Sequence, residues 1–164
     1  MQPDLRTICD ELVQLGASKS TPASRKKVDE AIASKWDGVK VAAAKALSQW
    51  GDPESVQTLK ELFTSVASQP QRSSALSTIA RLLTPHLQSS DLDWVCDLFL
   101  HKTHGSNGLG FLGILDSFSP HDVLKRLEGQ TPGGGKIAHY MDCVISRAQY
   151  RIKHNVDNKG RPND

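Results

Sequence analysis

Cys96, His101 and His104 lie close together in the chain, with His121 further on, and thiolate and imidazole donors are the ligands a zinc ion takes. Zinc needs four of them converging tetrahedrally, however, and Cys96 shares a helical stripe with Leu92, Val95 and Phe99 that aims it at a core. No metal and no cofactor are expected. Gly108-Leu-Gly-Phe-Leu-Gly113 satisfies the dinucleotide fingerprint by letter. That chemistry works only where a strand delivers the glycines to a helix N-terminus, and here the polar turn Lys102–Asn107 precedes them. The glycines read instead as a close helix–helix contact. Gly133-Gly-Gly-Lys136 fails as a phosphate loop, because Gln130 and Ile137 stand where the motif needs Gly and Ser or Thr. It reads as a linker into a helix whose first amides face outward toward any anion. His139 and Cys143 are one helical turn apart, and no nucleophile elbow is present. Asp91, Asp93 and Asp97 sit in the first turns of a helix, where carboxylates suit the dipole. No catalytic residue is expected, and the chain reads as a non-enzyme.

The elements that carry these residues are organised around positions 37–63, a helix, a short turn and a second helix. Val39, Ala42, Ala43, Ala46 and Trp50 make the first stripe; Val56, Leu59, Phe63 and Val66 make the second. Gly51 is the stop, Asp52 the next cap, and Pro53 the first helical position. Further helices are predicted at 4–16, 22–36, about 70–84, 91–102, 108–118, 120–128 and 136–153. Residues 155–164 read as a disordered tail behind a single domain over 1–154.

The chain has 164 residues, 38% of them hydrophobic and 23% charged, with a net charge of +2. Those values suit a folded domain and exclude a disordered or fibrous chain. No apolar run is long enough for a membrane span, and the first residues show no basic-then-apolar signal pattern, so a cytoplasmic location without membrane contact is expected. Three widely spaced cysteines, Cys9, Cys96 and Cys143, read as reduced thiols.

Predicted helix starts recur. One set begins near Ala23, Glu54, Asp91 and His121, and the other near Val39, Arg72, Gly108 and Lys136. A period in the low thirties with two helices per period is the signature of an α-solenoid. Residues 37–63 resemble a HEAT-like repeat, in particular the phycobilisome-lyase type. Its consensus runs Val-Arg-x-Ala-Ala-Ala-x-Ala-Leu-Gly-x-Leu-Gly-Asp-Pro-x-x-Val-x-x-Leu. This chain has Lys40 for the Arg, Ser48 for the Gly and Trp50 for the Leu. The resemblance implies an all-α superhelix, a short solenoid of about four helix pairs with capping helices. A compact helical superhelix of the VHS or ENTH type is the alternative architecture.

Charge separates the two sets. The second-of-pair helices carry Lys40, Lys45, Arg72, Arg81, Lys136, Arg147, Arg151 and Lys153 against only Asp116 and Asp142, whereas acids outnumber cations on the first-of-pair helices. In HEAT-like solenoids the second helices line the concave face, so the resemblance implies a basic inner surface. Lys40, Lys45, Arg72, Arg81, Lys136, Arg147 and Arg151 are the predicted partner-binding residues. The expected function is that of a scaffold or adaptor binding an acidic protein segment. Sequence-independent binding of a nucleic-acid backbone is the alternative, with a precedent in HEAT-like alkylpurine DNA glycosylases. The aromatic interleaving that single-strand binding favours is missing. The lyase likeness adds a third reading, assistance in chromophore attachment. Oligomeric state is left open.

Overall fold

A computed structural model describes residues 4–163, which fold as helices and turns without a strand. Among the described residues no helix is long and apolar enough to cross a membrane. Internal packing divides the chain into two compact units, one comprising residues up to Val66 with Ser73–His86, the other Ala67–Arg72 with Leu87 onward.

The first unit contains α1 (Leu5–Gly16), α2 (Pro22–Ile32), α3 (Asp37–Trp50), most of α4 (Pro53–Ala67) and α5 (Leu76–Leu83). Each start has a local cause. Thr21 and Ser24 form a reciprocal capping box with Pro22 at the first position of α2. Gly51 takes φ 61° to end α3, and Asp52 Oδ1 accepts the Ser55 amide at 3.0 Å to open α4.

Like ends of these helices meet. Arg25, in the first turns of α2, donates to Asp52 at 2.8 Å and Ser55 at 3.2 Å at the head of α4. Asp37, heading α3, accepts from Ser74 and Ala75 at the head of α5, while Ser48 near the tail of α3 donates to the Leu82 carbonyl at 2.9 Å. The Trp50 indole N–H reaches the Leu15 and Ser18 carbonyls at the tail of α1. Trp50 therefore ties off the end of α1. Val28, Ala43, Leu59, Phe63 and Ile79 form the core of this unit and are solvent-free.

The second unit holds α6 (Leu92–Asp97), which widens into a π-turn at Leu98–Lys102, a 3₁₀ segment (Gly105–Phe111) leading into α7 (Leu112–Asp116), α8 (Pro120–Leu127) and the long α9 (Gly135–His154). Phe99 and Phe111 meet at 5.4 Å between ring centroids in its core. The 105–116 stretch runs alongside α9 in the same sense. Gly105 stands against Lys136, Gly108 against Tyr140 and Ile137, and Asp116 against Arg147. The Asn107 amide, 2% exposed, donates to the carbonyls of Ala67, Gln69 and Gln71 and fastens the segment that follows α4.

Four expectations are corrected. Helix α2 stops at Ile32, so Trp36, expected as the last residue of a helix over 22–36, lies outside it and stands 50% exposed. The helix expected from about residue 70 starts at Leu76. Pro70 interrupts the chain there, and the Ser73 and Ser74 hydroxyls donate to Asp37 outside any helix. Glycines at 105, 108 and 110 turn the expected α-helix at 108–118 into a 3₁₀ start. The tail is folded over residues 155–163. Asn155 takes φ 50° to end α9, and Asp157 Oδ1 accepts the amides of Lys159 and Arg161, both at 2.8 Å.

Candidate functional site

Register along α3 and α5 decides which predicted cations come together. Hydrogen bonds between these helices pair residue 37 with 73–75 and residue 48 with 82. That offset sets Lys45 level with Arg81 along the helix pair. Both are exposed, and neither has a carboxylate partner among the described residues. Two exposed, unpaired cations at the same level of neighbouring helices are a source of positive potential that attracts carboxylate or phosphate.

The other predicted residues behave differently. Lys40, one turn before Ala44, is only 9% exposed, so it belongs to the packing of α3 and not to an open face. In the second unit Arg72 is exposed on the irregular stretch before Ser73 and is not helical. Lys136 is exposed in the first turn of α9, its methylenes lying along Gly105. Arg147 and Arg151 are engaged internally. The Arg147 guanidinium pairs with the carboxylate of Asp116, and Arg151 Nη1 donates to the Asp116 carbonyl at 2.9 Å. Burial pushes the Asp116 carboxyl up, and the two arginines hold it down only in part. With Tyr150, Ser146 and Asp157 these residues edge a cavity of about 320 Å³ whose positive and negative groups balance.

Asp116 had counted in the sequence merely as a charge opposing the basic row. It lies about one expected helix-pair spacing before Arg147 and Arg151, and that spacing was the available signal.

The residues weighed for chemistry have structural employment. Cys96 is fully buried and its thiol is pushed up to about 12, mainly by burial. His104 Nδ1 lies 2.7 Å from the Ser106 hydroxyl and caps the 3₁₀ segment, while His101 is exposed. Cys143 Sγ stands 4.0 Å from His139 Nε2 at a half-buried position. Among the described residues no group of three or more His, Cys, Asp or Glu is gathered to hold a metal. A Cβ on Gly108 would sit 2.5 Å from the Tyr140 ring, so that glycine serves close packing against α9. Asp91 caps the turn before α6 by accepting the Gln88 amide at 2.9 Å.

No protein-family model, curated protein or solved structure matches this chain at a significant level.

Proposed function

We propose that this chain is a HEAT-like helical-repeat protein that acts without catalysis, as a scaffold or adaptor for an acidic segment of another protein. The observation that carries the reading is the common level of Lys45 and Arg81 on the neighbouring helices α3 and α5, where both are exposed and unpaired among the described residues. Packing within the first unit supports the repeat reading, because α2 meets α4, and α3 meets both α1 and α5, through like ends. Of the predicted residues in the second unit, Arg72 and Lys136 are exposed and available to the same partner class. Arg147, Arg151 and Lys40 drop out of the binding set.

Fluorescence anisotropy with a labelled glutamate-rich peptide tests this. Binding is expected, with loss in the double reversal Lys45→Glu/Arg81→Glu. A labelled single strand and a duplex of matched length serve as competitors. Phosphate binding would show a log–log salt slope of about 0.7–0.9 per neutralised phosphate, indifferent to base sequence. Tight oligonucleotide binding with that slope, lost in the double reversal, would assign the patch to nucleic acid instead.

A further inference from the structure

Helix α1 runs beside α3 with tails together, since Trp50 Nε1 bonds the Leu15 and Ser18 carbonyls and Gly16 abuts Ala46. This register places Leu5, Ile8 and Leu12 of α1 where Val39, Ala42 and Ala46 stand on α3. On α3 those three positions are 4%, 4% and 0% exposed, in a helix that α2 packs along. On α1 nothing among the described residues does what α2 does for α3. Leu12 is covered, at 3%, but Leu5 is 41% exposed and Ile8 and Leu15 are half-buried, so the opening lies mainly toward the head of α1. A groove of about 790 Å³ lies there, between α1, α2 and the start of α3, with Trp36 at its rim.

From this geometry we infer that the groove is a docking site for an amphipathic α-helix of a partner protein. The ligand helix lies parallel to α2, in the position over α1 that α2 holds over α3. Leu5 to Leu15 span ten helical residues, about 15 Å or nearly three turns, which sets the minimum length of the ligand's apolar stripe. Charge sets its flanks. Glu11 lines the α1 wall and Glu30 the α2 wall, neither with an ion-pair partner among the described residues. A helix seated between them carries Lys or Arg on both sides of its stripe. Lys27, a turn before Glu30, stands nearer the head of α2 and favours an acidic residue in the ligand's first turn. This site is separate from the Lys45–Arg81 patch and has the opposite charge preference.

The probe is a synthetic peptide of about 15 residues with leucines at helical spacing and lysines on both flanks, compared with the same leucines flanked by glutamates and with a scrambled order. Binding is followed by calorimetry and by the indole N–H resonance of Trp36. The lysine-flanked peptide is expected to bind and to move that resonance. Leu5→Glu and Trp36→Ser each replace an exposed side chain, and each should weaken binding by about tenfold or more. Glu11→Lys with Glu30→Lys should reverse the flank preference. Lys45→Glu/Arg81→Glu should leave peptide binding unchanged, which separates this site from the acidic-segment reading. An unmoved Trp36 resonance, or equal affinity in Leu5→Glu with helicity retained, would overturn the inference. Sedimentation showing wild-type self-association abolished by Leu5→Glu would give the groove to a second copy of this chain and overturn it equally.

Discussion

Asp37 Oδ2 accepts the backbone amide of Ser74 at 3.0 Å, so the first residue of α3 caps the approach to α5 thirty-seven positions later. Helix α5 has no side-chain cap of its own at Ala75. The same carboxylate oxygen takes the Ser73 and Ser74 hydroxyls and the Ala75 amide. Asp37→Ala is therefore expected to cost about 1–2 kcal/mol, the range for losing a cap, measured as a lower urea midpoint with an unchanged m-value.

The pH profile follows from the same bonds. Burial pushes the Asp37 carboxyl up, but the bonds from Ser73, Ser74 and Ala75 outweigh it and hold the group below its ordinary 3.8. Asp52 is held down likewise, burial opposed by Ser55 and Arg25. A depressed carboxylate contributes stability that is present above the unfolded value and is lost as pH falls through the folded one. Stability should be level above pH 4 or so and fall below it, and Asp37→Asn should flatten part of that fall. Urea titrations between neutral and acid pH check this.

Asp116 has the opposite sign. Its raised carboxyl leans on Arg147, so Arg147→Ala should destabilise the protein at neutral pH and should do so less in acid, where Asp116 takes up a proton. Adding Asp116→Asn to Arg147→Ala should recover part of the loss. A double-mutant cycle with a coupling below about 0.5 kcal/mol would show the pair to be energetically independent.

Thiol accessibility gives a direct check of the second core. Cys96 is buried, which pushes its thiol up to about 12, whereas Cys9 and Cys143 are partly exposed. Ellman's reagent at mild alkaline pH should label Cys9 and Cys143 in the native protein and reach Cys96 only on unfolding.

Helix phase in α3 shows how far the sequence could be read. The stripe at Val39, Ala42, Ala43, Ala46 and Trp50 left Ala44 off the main face, which implied that Ala44→Leu is the milder change. Ala43 and Ala44 are both solvent-free, because α3 has α1, α2 and α5 around it and no single apolar face. Both substitutions should cost roughly 1–3 kcal/mol, measured by denaturant melts. The same blindness to phase put Lys40, which is only 9% exposed, among the predicted partner-binding residues.

What was legible were features with local causes: the Gly51 stop, the Asp52 cap with Pro53, the Thr21–Pro22 start and the all-helical class. The start of α5 was not legible, because it is fixed by Asp37 from another helix. Nor was the commitment of Arg147 and Arg151, which depends on Asp116 lying against α9. Lys45 and Arg81 were singled out from charge and helix spacing, and what the structure adds is that both are exposed at one level of α3 and α5. The place of Trp36 at the groove rim was not legible, because α2 ends at Ile32 and not at residue 36 as expected.

The clasp that Asn107 makes on residues 67–71 bears on how this chain can be divided and recombined. Ala67–Arg72 belongs with the second unit, yet Ser73–His86 returns to the first, so the backbone crosses between the units at three places. Any single break leaves one fragment holding a piece of the other unit. A polypeptide begun at Leu87 would keep Asn107 and discard the Ala67, Gln69 and Gln71 carbonyls that its amide serves. One ended at Val66 would keep α3 and discard the α5 that Asp37 caps. The two units are interleaved in sequence, and neither can be exchanged as a module by one crossover in the gene.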